Sequence, residues 1–307
     1  MGAAVSLVSL GDSEGEMNNS ISQALKLIDF TYKQSVNSVA IKPNLCYYWD
    51  ASTGYTTDPK VVGAIICWVR ETYGEDVNIR IVESDASAMR TKYAFTILGY
   101  RKLAQDKQVD LFNLSEDRLN EETVEVNGRQ VTLKVPQSLL EADLFINVPK
   151  LKVMRATRIT CASKNIFGCI GFPRKIIYHP FLEEAIVGIN KILHPHVTIV
   201  DGLVALGRFP VKLGLIMASK DSFSIDWVAS KILGYNPRSV GFLNLAIKEE
   251  IWSPKGLSIC GDKSIEIFSE KFPKQNKYSA TLWNFQLKLL KTYLKIVGDV
   301  APHFIEG

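Results

Sequence analysis

The stretch LFINVPKLK, residues 144–152, decides the fold class. Its first five residues, Leu144 to Val148, form a short and mostly apolar run, which is typical of a strand buried on both faces of a sheet. Pro149 ends the run, and Lys150 and Lys152 follow. A buried strand with cationic residues at its carboxyl end predicts a parallel sheet with a ligand crevice at that edge.

The same rhythm continues on both sides of this stretch. Short apolar runs alternate with amphipathic segments, and Asp58 with Pro59 marks one helix start. Strands are predicted at 5–10, 36–41, 77–82, 109–113, 197–200 and 215–218, and helices at 59–73, 98–106, 181–193 and 224–233. This order predicts an α/β fold with a mostly parallel sheet and helices on both faces.

One segment departs from the alternation. Between residues 122 and 136, apolar residues recur at every second position around Asn127-Gly128. That dipeptide favours a tight turn between antiparallel strands, so we predict a β-hairpin insertion near 122–136.

Composition excludes several classes of protein. The chain has 307 residues, a formal net charge of +4, 47% hydrophobic and 22% charged residues, which is typical of a soluble globular protein and unlike a disordered or supercharged chain. Its longest apolar run, residues 61–69, is too short to span a bilayer. Five cysteines without a CxxC pair favour a reduced, cytoplasmic protein.

The domain organisation follows from a change in character near residue 250. Residues 1–250 are predicted to form the α/β region, as one unit or as two subdomains that meet near 140. Residues 251–307 are predicted to be a C-terminal extension with an amphipathic helix at 282–297, where Leu287, Leu290 and Leu294 share one face.

Polar residues follow four of the predicted strands. Lys42 and Asn44 come after the second strand, Glu83 after the third, Lys150 after the strand at 144–148, and Asp201 after the strand at 197–200. Because the carboxyl ends of parallel strands share one edge, we expect these side chains to converge.

The cations are unevenly distributed. Residues 145–175 hold seven Lys and Arg, among them Lys164 and Arg174, and no Asp or Glu, while the rest of the chain has 29 basic against 32 acidic residues. An external phosphate or carboxylate would explain such a cluster. Alternatives are a solvated basic face, or RNA stacking on Phe167, Phe172 and Tyr178.

Within this basic segment, residues 163–168 offer amide and hydroxyl donors, with Asn165 as a side-chain candidate and Gly168 as a point of close backbone approach. Neither a P-loop nor a GxGxxG motif is present, and the histidines do not suggest a metal site. Cys161 and Cys169 lie among the cations, which would favour their thiolates, although no His follows them closely as a base.

The candidate carboxylates of the second half are Asp201, at a strand end, and Asp226, near a helix start. Each could orient the lysines or move a proton. Asp226 has a plain alternative role, which is to stabilise a helix N-terminus.

The strand-end motifs resemble a widespread prokaryotic family called domain of unknown function 362. The resemblance covers roughly residues 5–250 and rests on motifs that follow one another in order: IKPNL (41–45), TDP (57–59), GY (99–100), FINVPKLK (145–152), KNIFG (164–168), VDG (200–202), ID (225–226) and GY (234–235).

The resemblance implies a cytoplasmic α/β protein in a family whose members often carry a ferredoxin-like iron–sulfur module. It also implies a distant similarity to the N-terminal part of lactate-racemase-type enzymes, which use a nickel-pincer nucleotide. This chain lacks the ferredoxin cysteine run, has Met154 where family members typically have a His, and has Gly207-Arg208-Phe209-Pro210 in place of a glycine-rich stretch.

These observations predict a small-molecule enzyme that binds an anionic substrate or a nucleotide-type cofactor, of unknown identity, in a Lys/Asn-rich crevice. Lys152, Lys164, Asp201 and Asp226 are the candidate catalytic residues. The candidate binding residues are Lys42, Asn44, Lys150, Asn165, Gly168 and Arg174.

The alternatives are a non-catalytic anion-binding or electron-transfer accessory protein that works with a separate ferredoxin, and an RNA-binding protein. The mild net charge makes nucleic acid the less favoured partner.

Overall fold

The structure, a computed structural model, describes residues 2–10, 14–32 and 35–272. Within these ranges the chain forms twelve strands: β1 (Ala4–Ser9), β2 (Ser38–Pro43), β3 (Asn78–Glu83), β4 (Asp110–Asn113), β5 (Leu119–Val126), β6 (Arg129–Pro136), β7 (Leu144–Val148), β8 (Lys150–Met154), β9 (Arg158–Thr160), β10 (Val197–Leu206), β11 (Pro210–Ser219) and β12 (Ser258–Gly261).

The helices of the described residues alternate with these strands. They are α1 (Glu14–Leu27), α2 (Pro59–Tyr73), α3 (Thr91–Ile97), α4 (Tyr100–Lys107), α5 (Gln137–Glu141), α6 (Ala162–Phe167), α7 (Leu182–Ile192), α8 (Ser222–Ile232), α9 (Gly241–Lys248) and α10 (Ile265–Ser269).

The central sheet has the order β12-β1-β11-β10-β7-β2-β3-β4. Pairing is parallel from β10 through β7, β2 and β3 to β4. The exception is β11, which is antiparallel to both β10 and β1, because only three residues join β10 to β11 and so short a link permits only an antiparallel pair. The predicted α/β fold with a mostly parallel sheet is confirmed.

Helices cover both faces of the sheet. One buried apolar cluster joins residues of α1, α2 and α3 to side chains such as Ile41 and Ile146, and a second joins α6, α7, α8 and α9 to Ala40 and Phe145. Adjacent residues of β2 and β7 thus point into opposite layers, as strand geometry requires. Both strands are buried on two sides, which explains why apolar residues predominate in them.

Several element boundaries differ from the prediction. The helix expected at 98–106 is α4, and an additional helix, α3, precedes it. The two are separated at Gly99, whose φ of 81° is the left-handed conformation that ends a helix. The strands expected at 197–200 and 215–218 are each ten residues long. Their added halves form a ribbon that projects past the carboxyl edge of the sheet, where β10 pairs with β8.

The predicted hairpin is confirmed as β5 and β6. Asn127 and Gly128 form its turn with φ values of 54° and 72°, which match the turn that this dipeptide favours. Val131 and Leu133 are buried in the cluster on the α7 side of the sheet, so the insertion contributes to the core.

The segment beyond residue 250 begins with a strand of the main sheet. β12 pairs with β1 in parallel, and α10 follows. The amphipathic helix predicted at 282–297 lies outside the described residues. Across residues 2–10, 14–32 and 35–272, no helix has the length and apolarity needed to cross a membrane.

The chain direction defines one special position in the sheet. From β2 the chain continues outward to β3 and β4, whereas from β7 it continues to β10 on the other side. Because β2 and β7 are neighbours, the connections diverge between their carboxyl ends. Open α/β sheets form their ligand crevices at such a switch point.

Candidate functional site

Four adjacent strands deliver the predicted side chains to one edge of the sheet. Lys42 lies at the end of β2, Glu83 at the end of β3, Lys150 at the start of β8 and Asp201 within β10. All four are almost completely buried. The expected convergence is therefore present, and the contacts show which charges are already paired.

Lys150 and Asp201 form a buried ion pair. Nζ of Lys150 lies 2.8 Å from Oδ2 of Asp201, and both side chains are fully buried. The same carboxylate accepts hydrogen bonds from the backbone N–H groups of Asp58 at 2.7 Å and Leu203 at 2.9 Å. Asp201 thus ties β8, β10 and the start of α2 together, and it orients Lys150.

Lys42 forms the second buried pair. Its Nζ lies 2.7 Å from Oε1 of Glu83 and donates to the backbone oxygen of Pro43 at 2.8 Å. Oε2 of Glu83 accepts from the N–H of Leu45 at 3.1 Å. The carboxylate therefore holds both the end of β2 and the first turn of the loop that follows it.

Lys175, the last residue of the basic segment 145–175, lies beside the Lys42–Glu83 pair. Its Nζ donates to the backbone oxygen of Asp85 at 2.6 Å and to the hydroxyl of Ser84. Burial lowers the pKa of Lys175 to about 8, Glu83 opposes the fall, and the charge of Lys42 adds to it. The segment that lacks acidic residues in sequence therefore receives its counter-charges from β3 and β10.

The loop between β2 and α2, residues 44–58, lies at the carboxyl edge of the sheet. The N–H of Asn44 donates to the Thr57 hydroxyl at 2.9 Å, and the N–H of Cys46 donates to the Thr56 hydroxyl at 3.4 Å. Gly54 has a φ of 75°, and a Cβ there would lie 3.1 Å from the backbone of Ala205. The loop is thus pressed against the ribbon of β10.

Lys152 and Lys164 differ from the paired lysines. Nζ of Lys152 donates to the backbone oxygen of Tyr55 at 2.8 Å. Nζ of Lys164 lies 5.7 Å from the centre of the Phe167 ring, and within the described part of the chain it has no hydrogen bond or ion pair. Neither lysine faces a carboxylate there.

Burial is the main cause of altered titration at these two lysines. It lowers the pKa of Lys152 to about 8, with a further fall from the charges of Lys164 and Lys150. It also lowers the pKa of Lys164. At Lys152, removal from water thus outweighs the neighbouring like charges.

Asp226 lies away from the lysines and holds α6. Its two carboxylate oxygens accept from the N–H groups of Ala162 and Ser163, both at 2.8 Å. Burial raises the pKa of Asp226 to about 7, although these hydrogen bonds oppose the rise. Asp226 therefore stabilises a helix N-terminus, but that of α6 rather than that of its own helix, α8.

Asn165 connects α6 to the sheet. Its side-chain nitrogen donates to the backbone oxygen of Lys42 at 3.1 Å and to Oδ1 of Asn147 at 2.8 Å. The N–H of Gly168 donates to the oxygen of Asn165 at 3.0 Å, so it is engaged within the protein. Arg174 is half-buried, immediately before a short 3₁₀ helix at Lys175–Phe181.

Several buried polar atoms near the crevice have no hydrogen-bond partner among the described residues. Oδ1 of Asn44, Oγ1 of Thr160 and Oδ1 of Asn165 share this property. Thr160 stands directly opposite Lys152 in the β8–β9 pair, where side chains share a face. Buried polar atoms without partners are uncommon in proteins.

The expectation for Cys161 and Cys169 was wrong. Both thiols are fully buried, and burial raises the pKa of Cys161 and raises that of Cys169 to about 12. Low-polarity surroundings outweigh the cations that precede them in sequence. Phe167 and Tyr178 are also buried in the core, in contact with each other, so neither ring can stack on a base.

Two residues of the crevice were missed by sequence reasoning. Cys46 lies close enough to Lys152 and Lys164 to interact with both charges, and it is half-exposed. His179 is near Lys164, and its pKa is lowered by burial and then by that charge. Cys46 could have been found because it follows the strand-end motif IKPNL directly, whereas nothing local marks His179.

Among the described residues, no three His, Cys, Asp or Glu side chains are grouped as a metal site. The groups available to hold a ligand at the mouth of the crevice are the two lysines, Cys46, His179 and the side-chain amide of Asn44.

Fold and site together define a doubly wound α/β protein with a cluster of lysines at the carboxyl edge of its sheet. The chain belongs to the family described as Domain of unknown function (DUF362), whose model matches residues 39–231. The matched range begins in β2 and ends in α8, so it contains every element that builds the crevice.

Two individual proteins are similar to this chain. The Thylakoid-associated protein sll1697 of Synechocystis sp. (strain ATCC 27184 / PCC 6803 / Kazusa) is 27% identical over 215 residues, which cover 66% of this chain and 64% of that protein. The lactate racemase apoprotein from Thermoanaerobacterium thermosaccharolyticum matches with a TM-score of 0.43 and 11% identity, over 74% of this chain and 56% of that one. This chain thus matches less than two thirds of the length of each of these two proteins.

Proposed function

We propose that this chain is a small-molecule enzyme that binds an anionic substrate, or a nucleotide-type cofactor, through phosphate or carboxylate groups in the crevice at the carboxyl edge of the sheet. One observation carries the proposal. Lys152 and Lys164 lie close together and face no carboxylate among the described residues, whereas Lys42 and Lys150 each have one.

Electrostatics explains why an anion is the favoured ligand. Burial of the two ammonium groups lowers the pKa of both lysines, and the charge of Lys164 lowers that of Lys152 further. A bound phosphate or carboxylate would compensate both charges and accept hydrogen bonds from both nitrogens. Binding would then raise the pKa of Lys152 and take up a proton near pH 8.

The remaining residues have positioning roles in this proposal. Asp201 and Glu83 neutralise Lys150 and Lys42, so those lysines fix the rim of the crevice. Asp226 holds the helix that carries Lys164. Lys152, with a pKa of about 8, is suited to accept or return a proton near neutral pH.

Binding of two simple anions tests the proposal. Inorganic phosphate and oxalate are titrated calorimetrically into the wild type, Lys152→Met, Lys164→Met and the control Lys220→Met. Lys220 is exposed just after β11, whose antiparallel direction puts it at the opposite edge of the sheet. We expect each crevice variant to weaken binding about tenfold, the value of one charge-assisted hydrogen bond, and the control to bind like the wild type.

Mass spectrometry of the supernatant after denaturing freshly purified protein provides the second measurement. A co-purifying phosphorylated or carboxylated compound, absent from the Lys152→Met/Lys164→Met double variant, would support the proposal. Equal affinity in the wild type and the double variant would contradict it, as would a wild type that binds neither anion and releases none.

Met154 favours a second candidate function. It ends β8 beside the crevice, where a His is typical of the family, so a proton-transfer group is replaced by a thioether. A non-catalytic anion-binding or electron-transfer accessory protein, working with a separate ferredoxin, would suit this change. A flavin released on denaturation, or co-elution with an added ferredoxin, would favour it over the enzyme.

A cytoplasmic location belongs to the same proposal. All five cysteines are unpaired in the structure, as is usual in a reducing compartment. Fractionation of cells that express the tagged protein tests this location.

A further inference from the structure

Cys46 occupies an unusual position at the mouth of the crevice. It lies in the loop directly after β2, at the switch point of the sheet, and its side chain is half-exposed. Its N–H bonds to the Thr56 hydroxyl, and the neighbouring Tyr55 carbonyl accepts from Nζ of Lys152. These two hydrogen bonds bring the thiol and the Lys152 amine to the same short stretch of the loop.

A second cation approaches the thiol from another element. Lys164 projects from α6 and interacts electrostatically with Cys46. The side chain of Lys164 has no hydrogen bond or ion pair within the described residues. Two lysines from β8 and α6 thus flank one thiol.

A separate observation indicates that the space beside them receives a ligand. Thr160 is only 3% exposed and its Oγ1 has no partner among the described residues. It stands opposite Lys152 on the shared face of β8 and β9. Oδ1 of Asn44, two residues before Cys46, also has no partner there. These atoms suit the polar part of a molecule bound next to the thiol.

We propose that Cys46 is a nucleophile that reacts covalently with small electrophiles carrying a carboxylate or phosphate, with Lys152 and Lys164 holding the anionic group. This inference rests on the proposed function, because it assigns the chemistry of the same crevice. The thiol proton passes to the neutral amine of Lys152. The thiolate sulfur then bonds to the electrophilic carbon, and the leaving group departs with its electron pair.

Iodoacetate and iodoacetamide probe this reaction directly, since they differ in charge but both lose iodide as a carbon–sulfur bond forms. The rates of alkylation are measured by mass spectrometry of peptides that contain individual cysteines. Cys67 and Cys260 serve as internal controls. Cys67 is half-exposed beside one lysine, with Nζ of Lys107 at 3.2 Å from its sulfur. Cys260 is half-exposed, and burial raises its pKa.

We expect iodoacetate to alkylate Cys46 about tenfold faster than Cys260, because the lysines beside Cys46 attract the carboxylate of the reagent. The ratio of the iodoacetate rate to the iodoacetamide rate should also be higher at Cys46 than at Cys67. Lys164→Met should lower that ratio, and Lys164→Arg should keep it because the positive charge remains. Lys152→Met should slow the alkylation of Cys46, because the amine that accepts the thiol proton is removed.

The proposal is overturned if Cys46 reacts no faster than Cys260, or if Lys164→Met leaves the ratio of the two rates unchanged while its thermal unfolding matches that of the wild type. Cys46→Ser separates this inference from the proposed function. Phosphate or oxalate binding that persists in Cys46→Ser, with an unreactive Cys46 in the wild type, would remove the nucleophile and leave the anion site in place.

Discussion

Lys150 Nζ lies 2.8 Å from Oδ2 of Asp201, and neither side chain exposes any surface. The pair joins β8, which follows β7 in the chain, to the neighbouring strand β10. The same carboxylate accepts the N–H of Asp58 at the start of α2. A buried charge is tolerated only with such compensation. This contact therefore underlies the geometry of the whole crevice.

The Lys150–Asp201 pair predicts that a single variant loses much more stability than the double variant. Lys150→Met should lower the free energy of unfolding by about 3–5 kcal/mol, because it leaves Asp201 buried and charged without a partner. In Lys150→Met/Asp201→Asn the unpaired charge is absent, so a large part of the loss should be recovered. Urea unfolding of the wild type and the two variants measures the difference. A double variant no more stable than Lys150→Met would contradict the pairing.

Lys175 predicts a dependence of stability on alkaline pH. Its pKa is lowered to about 8 in the folded protein, so between about pH 8 and 10.5 the unfolded chain binds the proton and the folded protein does not. Stability contributed by this group therefore rises with pH over that range. The free energy of unfolding of the wild type, relative to Lys175→Met, should increase there by on the order of 1–3 kcal/mol.

Lys220→Met is the matched control for that measurement, since Lys220 is exposed at the far edge of the sheet. Its difference from the wild type should stay constant with pH. A flat difference for Lys175→Met over the same interval would show that burial does not alter the titration of Lys175.

Asp226 predicts the opposite trend at lower pH. Its folded pKa is raised to about 7, so the folded protein retains a proton that the unfolded chain loses near pH 4. The contribution of Asp226 to stability is therefore largest at low pH and declines as the pH rises toward 7. Relative to Asp226→Asn, the wild type should lose stability between pH 5 and pH 8, as measured by denaturant unfolding.

Asp106→Asn provides the comparison, because Asp106 is exposed on α4. We expect no such trend for it. If the wild type instead gained stability relative to Asp226→Asn as the pH rose, the carboxylate form of Asp226 would be the stabilising one.

Gly54 predicts a loss of stability when a side chain is added in the loop between β2 and α2. Its φ of 75° disfavours other residues, and a new Cβ would lie 3.1 Å from the backbone of Ala205 and Leu206. Gly54→Ala should lower the free energy of unfolding by more than the roughly 1–3 kcal/mol of a left-handed residue alone.

Gly128→Ala isolates the conformational part of that cost. Gly128 has a similar φ of 72°, and nothing lies within 4 Å of its Cβ position. Thermal unfolding of both variants gives the comparison. Equal losses would mean that the loop and the β10 ribbon are not in tight contact.

The sheet and its edge could be predicted from sequence because local patterns carry that information. Strand β7 is a mostly apolar run of five residues ended by Pro149, and helix α2 begins at Pro59 with Asp58 as its N-cap, as the capping pattern indicates. The hairpin turn at Asn127-Gly128 likewise depends on backbone preferences of two adjacent residues. Since parallel strands end at one edge, the convergence of Lys42, Lys150 and Asp201 followed from these elements alone.

Only the tertiary structure decided which charges are compensated. Residues 145–175 contain no acidic residue, yet Lys150 is paired with Asp201 and Lys175 lies beside Ser84 and Glu83, from strands far away in sequence. Burial raises the pKa of Cys161, which is the reverse of the expectation. The fold places Cys46 close to both Lys152 and Lys164. Distance and desolvation set the energy of a charge, and both depend on chain segments that no local pattern connects.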